Sequence, residues 1–212
     1  MPSSFRKERD DARKGRTRAA LLLAGAAVFT RQGFHKTHIS DIVAEAGVGQ
    51  GTFYRNFTDK RQVFEELMED FGHRLLSEFN FTSAKLPTNA EEYRVDSILA
   101  LKRAARTVDE NRDIARLLLR EAPTIDEEFC QKVDKLTGAF AELARFYLDH
   151  AIVKGFARPC NTQVVAEALI GVGLRILESH WNSRFGEQSL DAVIEEAVDF
   201  AFKGFGPISP NP

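Results

Sequence analysis

Short polar side chains are concentrated between residues 50 and 56, beside two phenylalanines spaced four residues apart, Phe53 and Phe57. On a helix, the phenylalanines would form an inward face and leave the other side small, polar and almost uncharged. Amide, hydroxyl and phenol groups on such a face can bond to base edges and phosphate oxygens in the major groove of DNA. The residues of this face are Gln50, Gly51, Thr52, Tyr54, Arg55 and Asn56.

A second short helix is predicted directly before this segment, over residues 39–46. Ile42, Val43 and Ala46 repeat at helical spacing, and Thr37 or His38 can cap the start. Gly47 follows and favours the positive φ that ends a helix in the left-handed conformation. Two short helices joined by so tight a turn are typical of a helix-turn-helix, with an ordinary exposed helical hairpin as the alternative.

The segment resembles the N-terminal domain of TetR-family transcriptional regulators, and this resemblance favours the helix-turn-helix. The matching residues are Phe29, Gly33, Phe34, Ile42, Ala46, Gly47, Val48, Gly51, Thr52, Phe53, Tyr54, Phe57 and Lys60. Two departures from the family pattern are Gly49, where serine is common, and Asn56, where histidine is usual. Both change details of contact and leave the class of protein unchanged.

The resemblance also implies which residues touch DNA. Ser40 is a further candidate for a base contact, and Thr37, His38 and Lys60 would hold phosphates. The recognition-helix positions that touch DNA in this family are occupied by Gln50, Gly51, Thr52, Tyr54 and Asn56.

Charge is distributed unevenly along the chain. Residues 1–62 contain 12 Lys or Arg and 6 Asp or Glu, whereas the whole chain contains 29 and 31 and has a formal net charge of −2. A basic N-terminal part suits a nucleic-acid partner even when the whole chain is mildly acidic. Arg16 and Arg18 are interpreted as phosphate contacts at the start of the first helix, and Ser3 to Asp11 as a solvated basic tail that could instead reach DNA.

Composition limits the other classes of protein. The apolar run from Ala19 to Phe29 could be the core of a signal peptide, but no small-residue cleavage site follows, so a buried first helix is predicted. No run reaches transmembrane length, so no membrane partner is expected. Cys130 and Cys160 are too few for a disulfide framework and favour the cytoplasm.

The chain after Lys60 alternates helical stripes with proline or glycine breaks and shows no strand-like alternation. An all-α fold of about nine helices is therefore predicted. It divides into a basic arm and helix-turn-helix domain over residues 1–62 and a larger helical domain over residues 63–212. Helix four is predicted to begin at Lys60, and a break is predicted at Pro123.

The resemblance implies that the larger domain binds a ligand and forms a homodimer. Apolar stripes on the last two helices are the predicted dimer contacts, although packing within one chain would produce the same stripes. These residues are Val165, Leu169, Val172, Ile176, Ile194 and Val198. The predicted walls of the ligand pocket, with Arg103 as a polar anchor, are Phe64, Leu67, Phe71, Leu99, Phe140, Leu143 and Tyr147. An exposed surface role is the alternative for Arg103, and plain core packing for most of the rings.

The predicted function is a ligand-responsive regulator, with repression as the family default. Its expected partners are a double-stranded DNA operator, a second copy of the chain and an unidentified small molecule. His35 and His38 lack clustered carboxylates, and no nucleophile elbow, Walker loop or dinucleotide fingerprint is present, so no enzyme activity, metal or cofactor is expected. The alternative is a DNA-binding architectural protein that does not respond to small molecules.

Overall fold

The computed structural model describes residues 3–79 and 86–205, with side chains described within 12–79 and 86–204. The all-helical fold predicted from the sequence is confirmed over these residues. The nine helices are α1 (Ser3–Gln32), α2 (Ile39–Glu45), α3 (Gln50–Tyr54), α4 (Lys60–Ser77), α5 (Ala90–Glu110), α6 (Arg112–Ile125), α7 (Glu127–Val153), α8 (Thr162–Trp181) and α9 (Leu190–Phe205). None of the described helices is both long enough and apolar enough to cross a membrane.

The prediction of a solvated tail before α1 is wrong for the backbone, because α1 already begins at Ser3. The segment from Ser3 to Lys14 contains no glycine or proline, and seven of its 12 residues are Arg, Lys, Glu or Ala, which favour helix. The side chains of Arg6, Lys7 and Arg9 lie outside the described residues. Their predicted approach to phosphate or to the minor groove therefore stays a prediction.

The break predicted at Pro123 is also displaced, because α6 continues to Ile125. Proline removes one helical hydrogen bond and its ring crowds the carbonyl four residues earlier, but Pro123 lies in the last turn, where only two further residues continue the helix. The apolar residues that hold α6 in place, Leu117, Leu118 and Ala122, all precede the proline and are buried. Helix α7 then begins at Glu127.

The chain forms two compact units. The first contains Met1–His73 and Asn111–Cys130, and the second contains Arg74–Glu110 and Gln131–Pro212. The division between them falls inside α4 and again inside α7. The first unit therefore includes α6 in addition to the predicted helix-turn-helix, while a functional boundary between residues 62 and 63 remains a prediction.

Aromatic side chains form the centre of the first unit. The Phe64 ring lies 5.4 Å from the ring of Phe29, 5.2 Å from that of Phe34 and 5.5 Å from that of Phe129, between ring centroids. Within this unit α1 packs against α2 and α6, and α2 packs against α3. Phe64, which the sequence analysis placed in a ligand pocket, is thus a core residue of the N-terminal unit.

In the second unit α9 packs against both α5 and α8. Ala105, Ile194 and Val198 form a buried cluster, with Ile98 and Phe202 packed against it. Three ion pairs also join α5 to α9. They run from Arg94 to Asp199, from Lys102 to Glu195 and from Arg106 to Asp191. Helix α9 is therefore held by its own chain along the face that contains the cluster.

Candidate nucleic-acid interface

The turn between α2 and α3 has the geometry that the sequence predicts. Gly47 has a φ of 65°, and the Val48 amide donates to the Val43 carbonyl at 3.0 Å, which closes the end of α2. Phe53 is fully buried beneath α3, and Phe57 is buried directly after it. These contacts fix the orientation of α3 against α2 and turn its polar side outward.

The start of α2 is capped at His38, one of the two predicted positions. The His38 amide donates to the Asp41 carboxylate at 2.9 Å. This bond is the main cause that lowers the pKa of Asp41 below its usual value. A hydrogen bond from the Gln32 amide and nearby positive charge lower the pKa further. Asp41 is therefore ionised at neutral pH and holds the α2 entrance.

The outward side of α3 consists of exposed Gln50, Gly51, Tyr54 and Arg55, with the Tyr54 side chain 60% exposed. Thr52 is half-buried, and its hydroxyl accepts a hydrogen bond from the Arg55 guanidinium at 2.9 Å. Gly51 adds no side chain, so the helix can approach a groove closely. This face offers an amide, a hydroxyl and a phenol to a partner, as base and phosphate recognition requires.

Asn56 is turned inward, in contrast to its predicted role at the DNA surface. Its amide nitrogen donates to the Thr52 carbonyl at 2.8 Å. Its Oδ1 is buried without a hydrogen-bond partner among the described residues. The sequence could not show this orientation, since an asparagine at the end of a short helix can serve either the helix or a ligand.

A shallow surface concavity brings together several predicted contacts from α2, α3 and the start of α4. His38 and Ser40 are exposed beside it, and Ile39 and Asp59 complete its lining. The predicted contacts that line it are Thr37, His38, Ser40, Gln50 and Lys60. The structure thus places these residues on one side of the N-terminal unit, while contact with DNA itself stays a prediction.

The predicted phosphate role of the Thr37 side chain is not supported, because this side chain is fully buried. Its hydroxyl donates to the Gly33 carbonyl at 2.7 Å and thereby closes the turn after α1. Threonine can satisfy a nearby carbonyl in this way without any external partner. Thr37 therefore acts inside the turn.

Lys60 also has internal partners where the sequence analysis placed a phosphate. Its Nζ donates to the carbonyls of Phe34, His35 and Thr37 at 2.8, 3.3 and 2.7 Å. Burial lowers the pKa of Lys60 from its usual value. Three carbonyl acceptors match the three donors of an ammonium group.

Of the two arginines assigned to phosphate at α1, only Arg16 is exposed. The Arg18 guanidinium donates to the Asn56 carbonyl and pairs with the Glu66 carboxylate, with 3.1 Å from Nε to Oε1. It also lies over the Phe57 ring, 4.1 Å from the ring centroid. Arg18 therefore has partners within its own chain, and its contact with phosphate stays a prediction.

Sequence reasoning missed a set of contacts between the α6–α7 corner and the rest of the first unit. The Glu121 carboxylate accepts the Phe34 amide at 3.2 Å. Arg61 pairs with Asp126 and with Glu128, the latter at 2.7 Å. These partners lie about 60 to 90 positions apart in the chain, so no local pattern could reveal them.

The predicted pocket residues lie in both units. Leu67 and Phe71 are buried residues of the first unit. In the second unit Leu99 is 49% exposed, and Arg103 is exposed with its guanidinium 3.4 Å from the Glu78 carbonyl oxygen. The half-buried residues of the predicted wall are Phe140, Leu143 and Tyr147. A pocket assembled from these side chains stays a prediction.

Tyr147 is a predicted pocket residue that packs against the core of the second unit. It packs against a buried cluster that contains Tyr93, Leu148 and Ala166. Burial raises the pKa of Tyr147, and it raises the pKa of Tyr93 to about 12. Both phenols therefore stay protonated at neutral pH.

The predicted dimer contacts divide between core and surface. Ile194 and Val198 are buried against α5, while Val165 and Leu169 pack against the cluster around Leu148. Ile194 and Val198 are thus core residues of their own chain, whereas a dimer contact by the half-buried Val165 and Leu169 stays a prediction. Val172 is exposed and Ile176 is half-buried.

Comparison with known proteins gives a consistent result. The family model described as bacterial regulatory proteins, tetR family, matches residues 21–67. The uncharacterized HTH-type transcriptional regulator YdgC of Bacillus subtilis (strain 168) is 27% identical over 166 residues, covering 77% of this chain and 80% of the relative. The HTH-type transcriptional repressor BepR of Brucella suis biovar 1 (strain 1330) is 35% identical over 60 residues, covering 28% of this chain and 29% of BepR.

Among solved structures, the SmeT–triclosan complex superposes with a TM-score of 0.73 at 20% identity, covering 92% of this chain and 98% of that one. At this identity the likeness concerns the fold. The two sequence relatives are named as HTH-type transcription regulators, and the segment matched by the family model contains α2, the turn and α3.

Proposed function

Because this chain belongs to the TetR family of transcriptional regulators, we propose that it is a ligand-responsive repressor that binds a near-palindromic operator as a homodimer. The observation that supports this proposal most directly is the outward polar side of α3. It is held by a glycine turn against α2, and it offers Gln50, Thr52 and Tyr54 beside a glycine that permits close approach. Repression follows the relative BepR, which is named a repressor.

The operator contacts that we propose are those whose side chains remain outward. From α3, base edges or phosphates would be contacted by the exposed side chains of Gln50, Tyr54 and Arg55. Thr52 is half-buried on the same helix and would contribute less. His38 and Ser40 would contribute from the start of α2, and Arg16 from α1. A helix of this kind usually reads a major groove while its neighbours contact the backbone.

The exposed side of α8 supports the homodimer. Val164, Ala168 and Val172 are exposed at a spacing of four residues, and Val164 is 62% exposed. On the neighbouring helix α9, Phe200 is 73% exposed. We propose that these apolar groups pack against the same face of a second copy, because a twofold dimer presents two reading helices to two half-sites.

A small apolar ligand would control the operator affinity. The SmeT structure is a complex with triclosan, which supports a small molecule as the effector of this fold. Helix α4 begins in the first unit at Lys60 and ends in the second at Ser77, so a ligand that displaces α4 would displace the reading helices. Such coupling typically spans about 1–3 kcal/mol, or about 5- to 150-fold in affinity.

The proposal is tested by selecting bound duplexes from a random-sequence pool with the purified protein and with Tyr54→Ala, at one stated salt concentration. Enrichment of a near-palindrome by the wild-type protein alone supports a dimeric, sequence-specific regulator. Absence of enrichment, or equal binding by the two proteins, overturns it. A selected operator whose affinity no small molecule alters would instead support an architectural DNA-binding role.

A further inference from the structure

Two basic side chains of the first unit, Arg18 and Lys60, share an arrangement that the proposed function leaves unexplained. Both are half-buried, and both donate hydrogen bonds to main-chain carbonyls. The carbonyls that Lys60 binds lie just before the segment that contains α2 and α3, and the carbonyl that Arg18 binds belongs to the last residue of that segment. We call this segment, residues 38–56, the reading segment.

Lys60 holds the entrance to the reading segment. The three carbonyls that its Nζ binds, at Phe34, His35 and Thr37, form the turn between α1 and α2. The same ammonium lies 4.6 Å from the centroid of the Phe34 ring. An ammonium with three oxygen acceptors and an aromatic face has its favourable interactions filled from within the protein.

Arg18 holds the exit of the reading segment. Asn56, whose carbonyl accepts from Arg18, follows α3 after a single residue. The Glu66 carboxylate on α4 takes the other side of the guanidinium, and the Phe57 ring lies beneath it. One arginine on α1 thereby fixes the end of α3 relative to α4.

We propose that Arg18 and Lys60 are positioning residues for DNA binding, which fix the two ends of the reading segment and do not neutralise phosphates. The inference rests on the proposed function, because it concerns how the same interface binds DNA. Their guanidinium and ammonium hydrogen bonds are already directed at carbonyls and at Glu66. A cation that moved to a phosphate would leave those carbonyls, and for Arg18 a carboxylate, without their donor.

The two roles respond differently when charge is kept and geometry is changed. A phosphate contact tolerates exchange of lysine and arginine, because either cation attracts phosphate. A positioning residue does not tolerate this exchange. The lysine ammonium carries its three donors on one nitrogen, whereas the arginine guanidinium is a planar group with donors on three nitrogens, so neither can reproduce the hydrogen bonds of the other. The exchanges Arg18→Lys and Lys60→Arg therefore separate the roles without altering net charge.

The first experiment measures the affinity of these two variants for the duplex that the wild-type protein selects from a random pool. Each is expected to bind at least about tenfold more weakly, since hydrogen bonds to a charged group are lost. Arg13→Lys, at an exposed position of the same helix as Arg18 that is given no contact with DNA, serves as the control and is expected to bind within about twofold. Near wild-type affinity for both Arg18→Lys and Lys60→Arg would overturn the inference.

A second experiment uses Glu66→Ala, for which the two roles predict opposite signs. If Arg18 were a phosphate ligand, removing the nearby carboxylate would release it and strengthen binding to DNA. If Arg18 positions the reading segment, the same change weakens binding, because the guanidinium loses its anchor on α4. Stronger binding by Glu66→Ala would overturn the assignment of Arg18.

Salt dependence tests Lys60 by a third route. Each phosphate that a protein neutralises contributes about 0.9 to the slope of log affinity against log salt concentration. Lys60→Met is expected to lose affinity and keep the wild-type slope, which a general loss of phosphate contacts would not do. A slope reduced by about one would assign Lys60 to a phosphate.

Circular dichroism and thermal melting of each variant report whether it folds. If Lys60→Met does not fold, the charge-preserving exchange Lys60→Arg decides the role of Lys60. A wild-type protein that selects no duplex contradicts the proposed function itself. Selection by the wild type together with near wild-type binding by the exchange variants contradicts only the positioning role.

Discussion

Gly47 is the residue on which the angle between the two reading helices most directly depends. Its φ of 65° lies in the left-handed region, where a side chain adds strain. No heavy atom would lie within 4 Å of a Cβ added there, so the cost of substitution is conformational and not steric. Gly49, at the start of α3, instead has a φ of −82°, which any residue adopts.

Gly47→Ala is expected to destabilise the protein by about 1–2 kcal/mol, the usual cost of the left-handed conformation for a residue with a side chain. Differential scanning calorimetry at neutral pH measures the change as a lower melting temperature. Gly49→Ser is the matched control, because serine caps a helix at least as well as glycine and should leave stability equal or slightly higher. An unchanged melting temperature for Gly47→Ala would show that the turn tolerates a different backbone path.

Individual residues show where sequence reasoning succeeds and where it fails. The spacing of Phe53 and Phe57 and the position of Gly47 predicted the turn and its buried side, since these features follow from local geometry. Thr37, Arg18 and Lys60 were assigned to phosphate, yet they bond to carbonyls or carboxylates of their own chain. A sequence reports the charge of a side chain and not the direction in which a folded chain turns it.

At the scale of elements, the packing of α1 against α4 depends on a close approach at Gly25. A Cβ added there would lie 2.6 Å from Cγ1 of Val63, which is fully buried, and 3.6 Å from the Phe29 ring. Neither helix can shift freely, because Phe29 and Phe64 also join them. Gly25 is therefore needed for its lack of a side chain, even though glycine weakens a helix.

Gly25→Ala is expected to lower the free energy of unfolding by about 1–3 kcal/mol, the usual cost of overpacking a core. Gly15→Ala, in the same helix with no atom within 4 Å of the added Cβ, should raise it by up to about 1 kcal/mol through helix propensity. Chemical denaturation followed by circular dichroism compares the two. Equal effects of both substitutions would contradict the close approach between α1 and α4.

The α6–α7 corner is held to α4 by an ion pair that responds to pH. The Arg61 guanidinium is the main cause that lowers the pKa of Asp126 below its ordinary value of 3.8. The hydrogen bond from the Phe129 amide lowers this pKa further. A carboxyl whose pKa is lowered by folding stabilises the folded state above its unfolded pKa, and this stabilisation is lost as the pH falls through the folded pKa. The ion pair is therefore complete at neutral pH and weakens only in acid.

Asp126→Ala should accordingly lower the melting temperature at pH 6–7, with the difference from wild type narrowing below about pH 4 as the wild-type carboxyl is protonated. Glu69→Ala, at an exposed position of α4, provides a control for the loss of one negative charge. Melting curves collected from pH 7 downward show the trend. A difference that stays constant into acid would mean that the negative charge of Asp126 does not contribute to stability.

At the scale of the whole molecule, the helical stripes predicted which faces are apolar but not what covers them. Ile194 and Val198 belong to a regular stripe, and the structure buries them against α5 of the same chain. A stripe that packs within one chain and a stripe that packs against a second copy have the same period. Three-dimensional packing was needed to separate the buried faces of α8 and α9 from the faces that remain exposed.

Val172 lies on the exposed face of α8 and supports the last prediction. If the homodimer uses this face, Val172→Glu places a carboxylate against its own symmetry mate at a twofold interface, where apolar burial is replaced by charge repulsion. Analytical ultracentrifugation is expected to show a dimeric wild-type protein and a mainly monomeric variant. Val153→Glu, at a residue 82% exposed near the end of α7, is the matched control and should remain dimeric.

The same two variants connect assembly to DNA binding. A monomer can occupy only one half-site at a time, so Val172→Glu should lose the selected operator while the reading helices stay intact. A melting temperature of the first unit that calorimetry finds unchanged would indicate that the loss of operator binding arises from the loss of the dimer. Dimers of Val172→Glu with full operator affinity would place the interface elsewhere, and a monomeric wild-type protein that binds the operator would contradict the homodimer altogether.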